Sequence, residues 1–232
     1  MKIAVLALAA ASLSFATSVA AQNNPVVVEL YTSQGCSSCP PADAILHEIA
    51  DREDVIALAL HVDYWDYIGW KDPFGDPAHA KRQRAYAAAG QRRSIYTPEM
   101  IVNGQTDIVG AKAMALSEAI TEHAKETPKV KLALTREGDT LNITAEKLGT
   151  VKGEMTVHLL RYTPRQVTEI KRGENAGKTI EYANVVEDWQ ALGTWDGTTP
   201  LNFQAMTAGS KPAVVIIQGA NAGPILAAAR LR

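Results

Sequence analysis

Two cysteines, Cys36 and Cys39, stand between a run of apolar, β-branched residues and a pair of prolines, and no other cysteine occurs in the 232-residue chain. This placement constrains the fold more than any other feature. Val26 to Tyr31 (VVVELY) has the composition of a strand buried on both faces of a parallel sheet. Pro40 and Pro41 suit the first turn of a helix, where a missing N–H leaves no bond unmade, and Ile45, Leu46 and Ile49 follow at helical spacing. The cysteines therefore sit at a strand-to-helix turn. A bridge between them would close only the short loop from Cys36 to Cys39, which adds little to stability, so chemistry explains the pair better than stapling does.

The chain begins with the layout of a secretory signal peptide over residues 1–21: a positive charge at Lys2, an apolar run from Ile3 to Ala11, and small residues Ser18 to Ala21 before Gln22. Export to the periplasm or outside the cell is expected, a setting in which disulfides persist. Nothing after the leader approaches the length of apolar chain that crosses a membrane, so no membrane span is expected. The net charge of −2 becomes −3 once Lys2 is removed, and this gives no electrostatic case for nucleic acid.

Asp54 to Val62 reads as a second strand, followed by an aromatic loop from Asp63 to Phe74. Asp76 and Pro77 open a helix that ends at Gly90. Thr97-Pro98 opens a third strand, Asn103-Gly104 is a hairpin signal, and Ala111 to Lys125 is the closing helix. The order is β-α-β-α-β-β-α.

That order, with a reactive pair after the first strand and a proline at the head of the third, is similar to the minimal thioredoxin fold, and the spacing from Tyr31 to Cys39 resembles glutaredoxins. More closely, TSQGCSSCPPAD at 32–43, HVDYWDYIGWKDPF at 61–74 and YTPEMIVNG at 96–104 resemble a family of secreted bacterial proteins, domain of unknown function number 1223. The thioredoxin resemblance implies that Pro98 follows a cis bond and packs against the cysteines. It also implies that Pro98 helps dock an extended substrate, to which Thr97 offers its backbone.

After Pro128 the texture becomes alternating polar and apolar residues broken by turns, as in Val130 to Thr135, Thr140 to Ala145 and Glu154 to Tyr162. Gln166 to Lys171 and Lys178 to Val186 flank a polar loop, Arg172 to Gly177 (RGENAG), read as a solvent-facing tip. The expected fold is thus an α/β thioredoxin-like domain over 22–127, followed by a mainly antiparallel, sandwich-like β domain over 128–232.

The helix start favours the thiolate of Cys36, which is expected to attack, while Cys39 resolves the mixed disulfide. Glu29 is the odd residue in an apolar strand. Burial would raise its pKa into the range useful for passing protons to Cys39; the bland reading is a salt-bridged carboxylate. His61, Asp63, Trp65 and Trp70 follow the second strand on the rim where open α/β sheets bind ligands, and are candidate substrate-binding residues. The bland readings are a hydrogen-bonded structural histidine and packing tryptophans. Lys81, Arg82, Arg84, Arg92 and Arg93 read as a solvated basic face.

The leading reading is a thiol–disulfide oxidoreductase acting on protein thiols or disulfides, with a membrane redox partner as a further candidate, and with the Cys36–Cys39 disulfide in place of any bound cofactor. One alternative is a copper or other soft-metal protein in which Cys36, Cys39 and His61 hold the ion. Another is a binding or assembly module whose disulfide only rigidifies the turn.

Overall fold

The apolar run Val26–Thr32 forms strand β1, buried along its whole length. The structure, a computed structural model, describes residues 24–232; the expected signal peptide lies outside the described residues. Helix α1 spans Pro40–Ile49, with Pro40 and Pro41 in its first turn and Cys39 at its N-cap. Strand β2 is Val55–His61, and helix α2 is Pro77–Ala89. The Asp76 carboxylate caps α2 by accepting the Ala78 N–H over 2.7 Å. Strands β3 (Glu99–Val102) and β4 (Thr106–Val109) form a hairpin. Its turn needs left-handed backbone at both Asn103 (φ 48°) and Gly104 (φ 68°), which this pair of residues supplies. Helix α3 is Ala113–Ala124.

The remaining chain is all strand: β5 (Val130–Glu137), β6 (Thr140–Lys147), β7 (Met155–Glu169), β8 (Thr179–Trp195), β9 (Leu201–Met206), β10 (Ala213–Gly219) and β11 (Ile225–Leu231). Here the expectation of a thioredoxin-like α/β domain followed by a separate sandwich is overturned. Strand β8 joins the edge of β2 in parallel, at Ala59 and Val185, and produces one mixed sheet of eight strands in the order β11-β10-β7-β8-β2-β1-β3-β4. Only β5, β6 and β9 form a second sheet. The physical reason is the unpaired edge of β2, whose N–H and C=O groups are buried and must find partners. Asn184 in β8 supplies one side-chain bond as well, donating from Nδ2 to the Ala57 carbonyl over 2.9 Å.

Alternation along β1 divides the sheet's two faces. Val26, Val28 and Leu30 pack with Ala42 and Leu46 of α1 and with Leu116 and Ile120 of α3. Val27 and Tyr31 face the other way, into a core shared with Ala80 and Tyr86 of α2 and Ile216 of β10. The three-stranded sheet closes over Val157, Leu159, Val215 and Ala229 to make a third core. The long β7–β8 hairpin, whose strands pair from Met155 and Trp195 out to Glu169 and Thr179, carries its tip toward the cysteine turn.

Candidate functional site

Cys36 and Cys39 are joined as a disulfide at the head of α1. Backbone bonds shape the turn: the Cys36 N–H donates to the Ser33 carbonyl, the Cys39 N–H to the Cys36 carbonyl, and the Asp43 N–H to the Cys39 carbonyl. Cys36 is 3% exposed and Cys39 not at all, while Ser37 and Ser38 between them are exposed. The order of exposure is as expected, yet both sulfurs are covered.

Three segments meet around the cysteine turn. The aromatic loop contributes Trp65, whose Cβ would lie 3.1 Å from any Cβ placed on Gly35. A side chain at Gly35 would crowd Trp65, so glycine suits this close approach beside Cys36. The Trp65 indole N–H donates to Thr97 Oγ1 over 2.7 Å, and the Thr97-Pro98 bond is cis with Pro98 buried. Trp65 thus ties the cysteine turn to the proline turn. Tyr67, 79% exposed, stacks on Trp65. Trp70 donates its indole N–H to Gln34 Oε1 over 2.8 Å.

The third segment is the tip of the β7–β8 hairpin, which sequence reasoning left facing solvent. Asn175 is buried and donates from Nδ2 to the carbonyls of both Gln34 and Cys36, each over 2.9 Å. Its Oδ1 accepts from Lys178 Nζ, and Glu174 accepts the Ser37 N–H over 3.3 Å. Gly173 (φ 78°) lies against Trp70, so the tip and the aromatic loop meet.

Glu29 is not brought to the cysteines. It shares the β1 face with Val27 and Tyr31, opposite α1, and there it is buried against Arg82 (Nε to Oε1, 2.6 Å) and the Tyr86 hydroxyl. Arg82 and Arg92 both turn inward from the expected basic face, Arg92 pairing with Glu99 and Asp107. The salt-bridged reading of Glu29 describes what is seen.

The buried acid on the cysteines' side is Asp43, one helical turn past Cys39. It is 3% exposed, and burial pushes its carboxyl up to about 7, against the pull of His61. A signal for it was present in the sequence: Cys39, Ala42, Asp43 and Leu46 follow the i, i+3, i+4, i+7 spacing of one buried helix stripe.

Asp43 belongs to a polar pocket in the protein's interior. His61, fully buried, bonds through Nδ1 to Asp72 Oδ2 over 2.7 Å, and that oxygen also accepts the Gln34 N–H over 2.8 Å. Burial alone would raise the Asp72 carboxyl, but His61 and the backbone N–H groups of Gln34 and Phe74 outweigh it and hold the group below its ordinary value. Burial, then the charges of Asp43 and Asp72, raise the Tyr182 hydroxyl, whose ring packs edge-on against His61. Among the described residues, Asp43 Oδ1, His61 Nε2, Thr32 Oγ1 and the Tyr182 hydroxyl find no hydrogen-bond partner. Buried polar atoms left unpaired in such number are costly, and they cluster where chemistry needs them. Asp63 contributes its carbonyl to the loop, accepting the Asp66 N–H.

No helix among the described residues is long and apolar enough to cross a membrane. No curated protein matches the chain. The crystal structure of protein AGR_C_4864 from Agrobacterium tumefaciens is similar, with a TM-score of 0.76 and 31% identity over 89% of this chain and 93% of that one. HBP35 of Porphyromonas gingivalis shares the fold at a TM-score of 0.58, with 15% identity over 90% of this chain and 74% of that one. The family described as "Protein of unknown function (DUF1223)" matches residues 27–218, and with the cysteine turn, the aromatic loop and the hairpin tip all inside that span, the chain belongs to the DUF1223 family.

Proposed function

We propose that the protein is an exported thiol–disulfide oxidoreductase whose working group is the Cys36–Cys39 disulfide. The observation that carries this reading is a disulfide at a helix head with a buried carboxyl, Asp43, one turn behind its inner sulfur. A disulfide serving only as a brace has no use for an acid held near neutrality on the same buried helix stripe. A substrate thiolate attacks Cys36 Sγ, the Cys36–Cys39 bond breaks, and Cys39 leaves with the electron pair and takes the Asp43 proton. A second substrate thiolate then attacks the substrate sulfur of the mixed disulfide and expels Cys36 as a thiolate. The substrate departs oxidised by two electrons and the protein holds two reduced sulfurs. The same steps run backwards when the substrate is a disulfide.

Cys36 is the attacked sulfur because it retains exposure and lies outside the helix, while Cys39 caps it. The helix N-terminus favours the thiolate form. Kinship with thioredoxin-like proteins is proposed at the level of this site, where a cis proline and a Cys-x-x-Cys turn are joined through Trp65. The exposed Tyr67 beside Trp65 offers an aromatic face to a peptide, at small cost in side-chain entropy.

Disulfide exchange on metal-free protein tests the proposal, comparing wild type with Cys36→Ala, Cys39→Ala and Asp43→Asn. Loss of turnover in both cysteine variants and a slowed, pH-shifted rate in Asp43→Asn are expected. Exchange no faster than that of a free dithiol would refute it.

A further inference from the structure

A cavity of about 400 Å³ opens on the sheet face opposite α1, between α2, the β7–β8 hairpin and the turn joining β10 to β11. This volume lies in the range of small-molecule sites. Its wall is largely apolar, built from Ala78, Ala85, Ala191, Ala222 and the indole of Trp189. The polar groups that line it are unusually one-sided. Lys81, Arg82, His79, His158, Thr156 and the amides of Gln218 and Asn221 contribute, and among the described residues no carboxylate does.

Donor arithmetic sharpens the point. Arg82 stacks on Trp189, its guanidinium carbon 4.0 Å from the ring centre. Four of its five N–H groups are used: Nε and one Nη2 hydrogen on Glu29, the other Nη2 hydrogen on Tyr86, and one Nη1 hydrogen on Gln218. One Nη1 hydrogen has no partner among the described residues. Gln218 is likewise committed, its Oε1 to Arg82 and its Nε2 to Tyr86 and Gly223. The Trp189 indole can only donate, so His158 must accept through Nδ1 over 3.1 Å and, being neutral, carry its proton on Nε2. Burial, then the Arg82 charge, lowers His158 to about 4, which keeps it neutral.

We propose that this cavity is a binding site for a small organic carboxylate with a flat apolar body, the carboxylate taking the spare Arg82 Nη1–H and the His158 Nε2–H and the body lying along Trp189. Lys81 adds charge at the mouth. The site is independent of disulfide chemistry and sits across the sheet from it.

Naphthoate and its uncharged partner naphthamide are titrated into the full protein, followed by the NMR cross-peaks of the His158 ring and the Trp189 indole N–H. Naphthoate is expected to shift both signals saturably and to bind at least about tenfold more tightly than naphthamide, since bonds to a charged acceptor exceed those to a neutral one by at least that factor. Ala85→Trp and Ala191→Trp, which fill the cavity from surface positions, are expected to abolish the shifts while the thermal transition stays cooperative. His158→Phe, which keeps the wall and removes the donor, is expected to weaken naphthoate by a larger factor than naphthamide. Equal affinity for acid and amide, binding that survives both tryptophan variants, or no response to naphthoate would each overturn the proposal.

Discussion

Asp43 stands one helical turn beyond Cys39, and its backbone N–H donates to the Cys39 carbonyl over 3.1 Å. The relationship fixes both side chains on the buried stripe of α1 and leaves the carboxyl no exit to solvent. Its consequences for pH follow from linkage. The folded carboxyl titrates at about 7 against 3.8 when the chain is open, so the folded state binds the extra proton between those values. The contribution of this group to stability is full below about pH 4, falls as the pH rises toward 7, and levels off above it, a loss on the order of 4 kcal/mol. Asp43→Asn is expected to flatten this slope and to be the more stable protein at pH 8, as read by urea unfolding across the range. A slope unchanged by the substitution would place the titration elsewhere.

The hairpin tip is expected to guard the disulfide. Asn175→Ala removes the donor to two buried carbonyls, at a cost of about 1–3 kcal/mol, and loosens the cover over Cys36. Reduction by dithiothreitol should accelerate as the melting temperature falls. Slower or unchanged reduction in a destabilised variant would show that the tip does not limit access.

Much of the local structure was legible in the sequence, and the reasons are local. The strand at VVVELY, the proline-headed α1, the Asp76 cap and the Asn103-Gly104 turn each depend on residues within a few positions of one another. What escaped depends on pairing across the chain. The sequence pattern separates a stretch ending at Tyr162 from one beginning at Gln166, yet β7 runs unbroken through Pro164. It lies between Thr163 and Arg165, which pair with Val185 and Ala183, and the intervening Asn184 adopts φ 49° and reaches across to Ala57. No local pattern announces that β8 will complete the edge of β2. The sequence leaves Glu29 between two readings for a related reason: alternation shows that Glu29 and Leu30 face opposite ways, but only the tertiary fold tells which face α1 covers. The same fold brings Asn175 to Cys36 from far along the chain.

Glu29 and Arg82 are expected to behave as a structural pair. Arg82→Gln leaves a carboxylate buried without its countercharge, a loss of about 3–5 kcal/mol. The double variant Glu29→Gln with Arg82→Gln should recover a large part of it in denaturant unfolding. Full additivity of the two single losses would show that the charges do not interact.

Trp65, packed beside Gly35 through its Cβ, should report the state of the disulfide. Reduction is expected to raise tryptophan emission, because a nearby disulfide quenches it, and Trp65→Phe should remove most of the rise. An emission rise that persists in Trp65→Phe and vanishes in Trp70→Phe would assign the contact to the other side of the turn.

Trapping on the Cys39→Ala protein tests exchange at Cys36 most directly. Its reduced Cys36 thiolate is offered a peptide carrying an activated mixed disulfide, and the product is read by intact mass. A stable one-to-one peptide adduct on Cys36 is expected, with little capture by Cys36→Ala and release of the peptide thiol from wild type as Cys39 closes the bridge. Capture by the Cys36→Ala protein at a higher rate, or no adduct on either variant, would contradict a role for Cys36 as the exchanging sulfur.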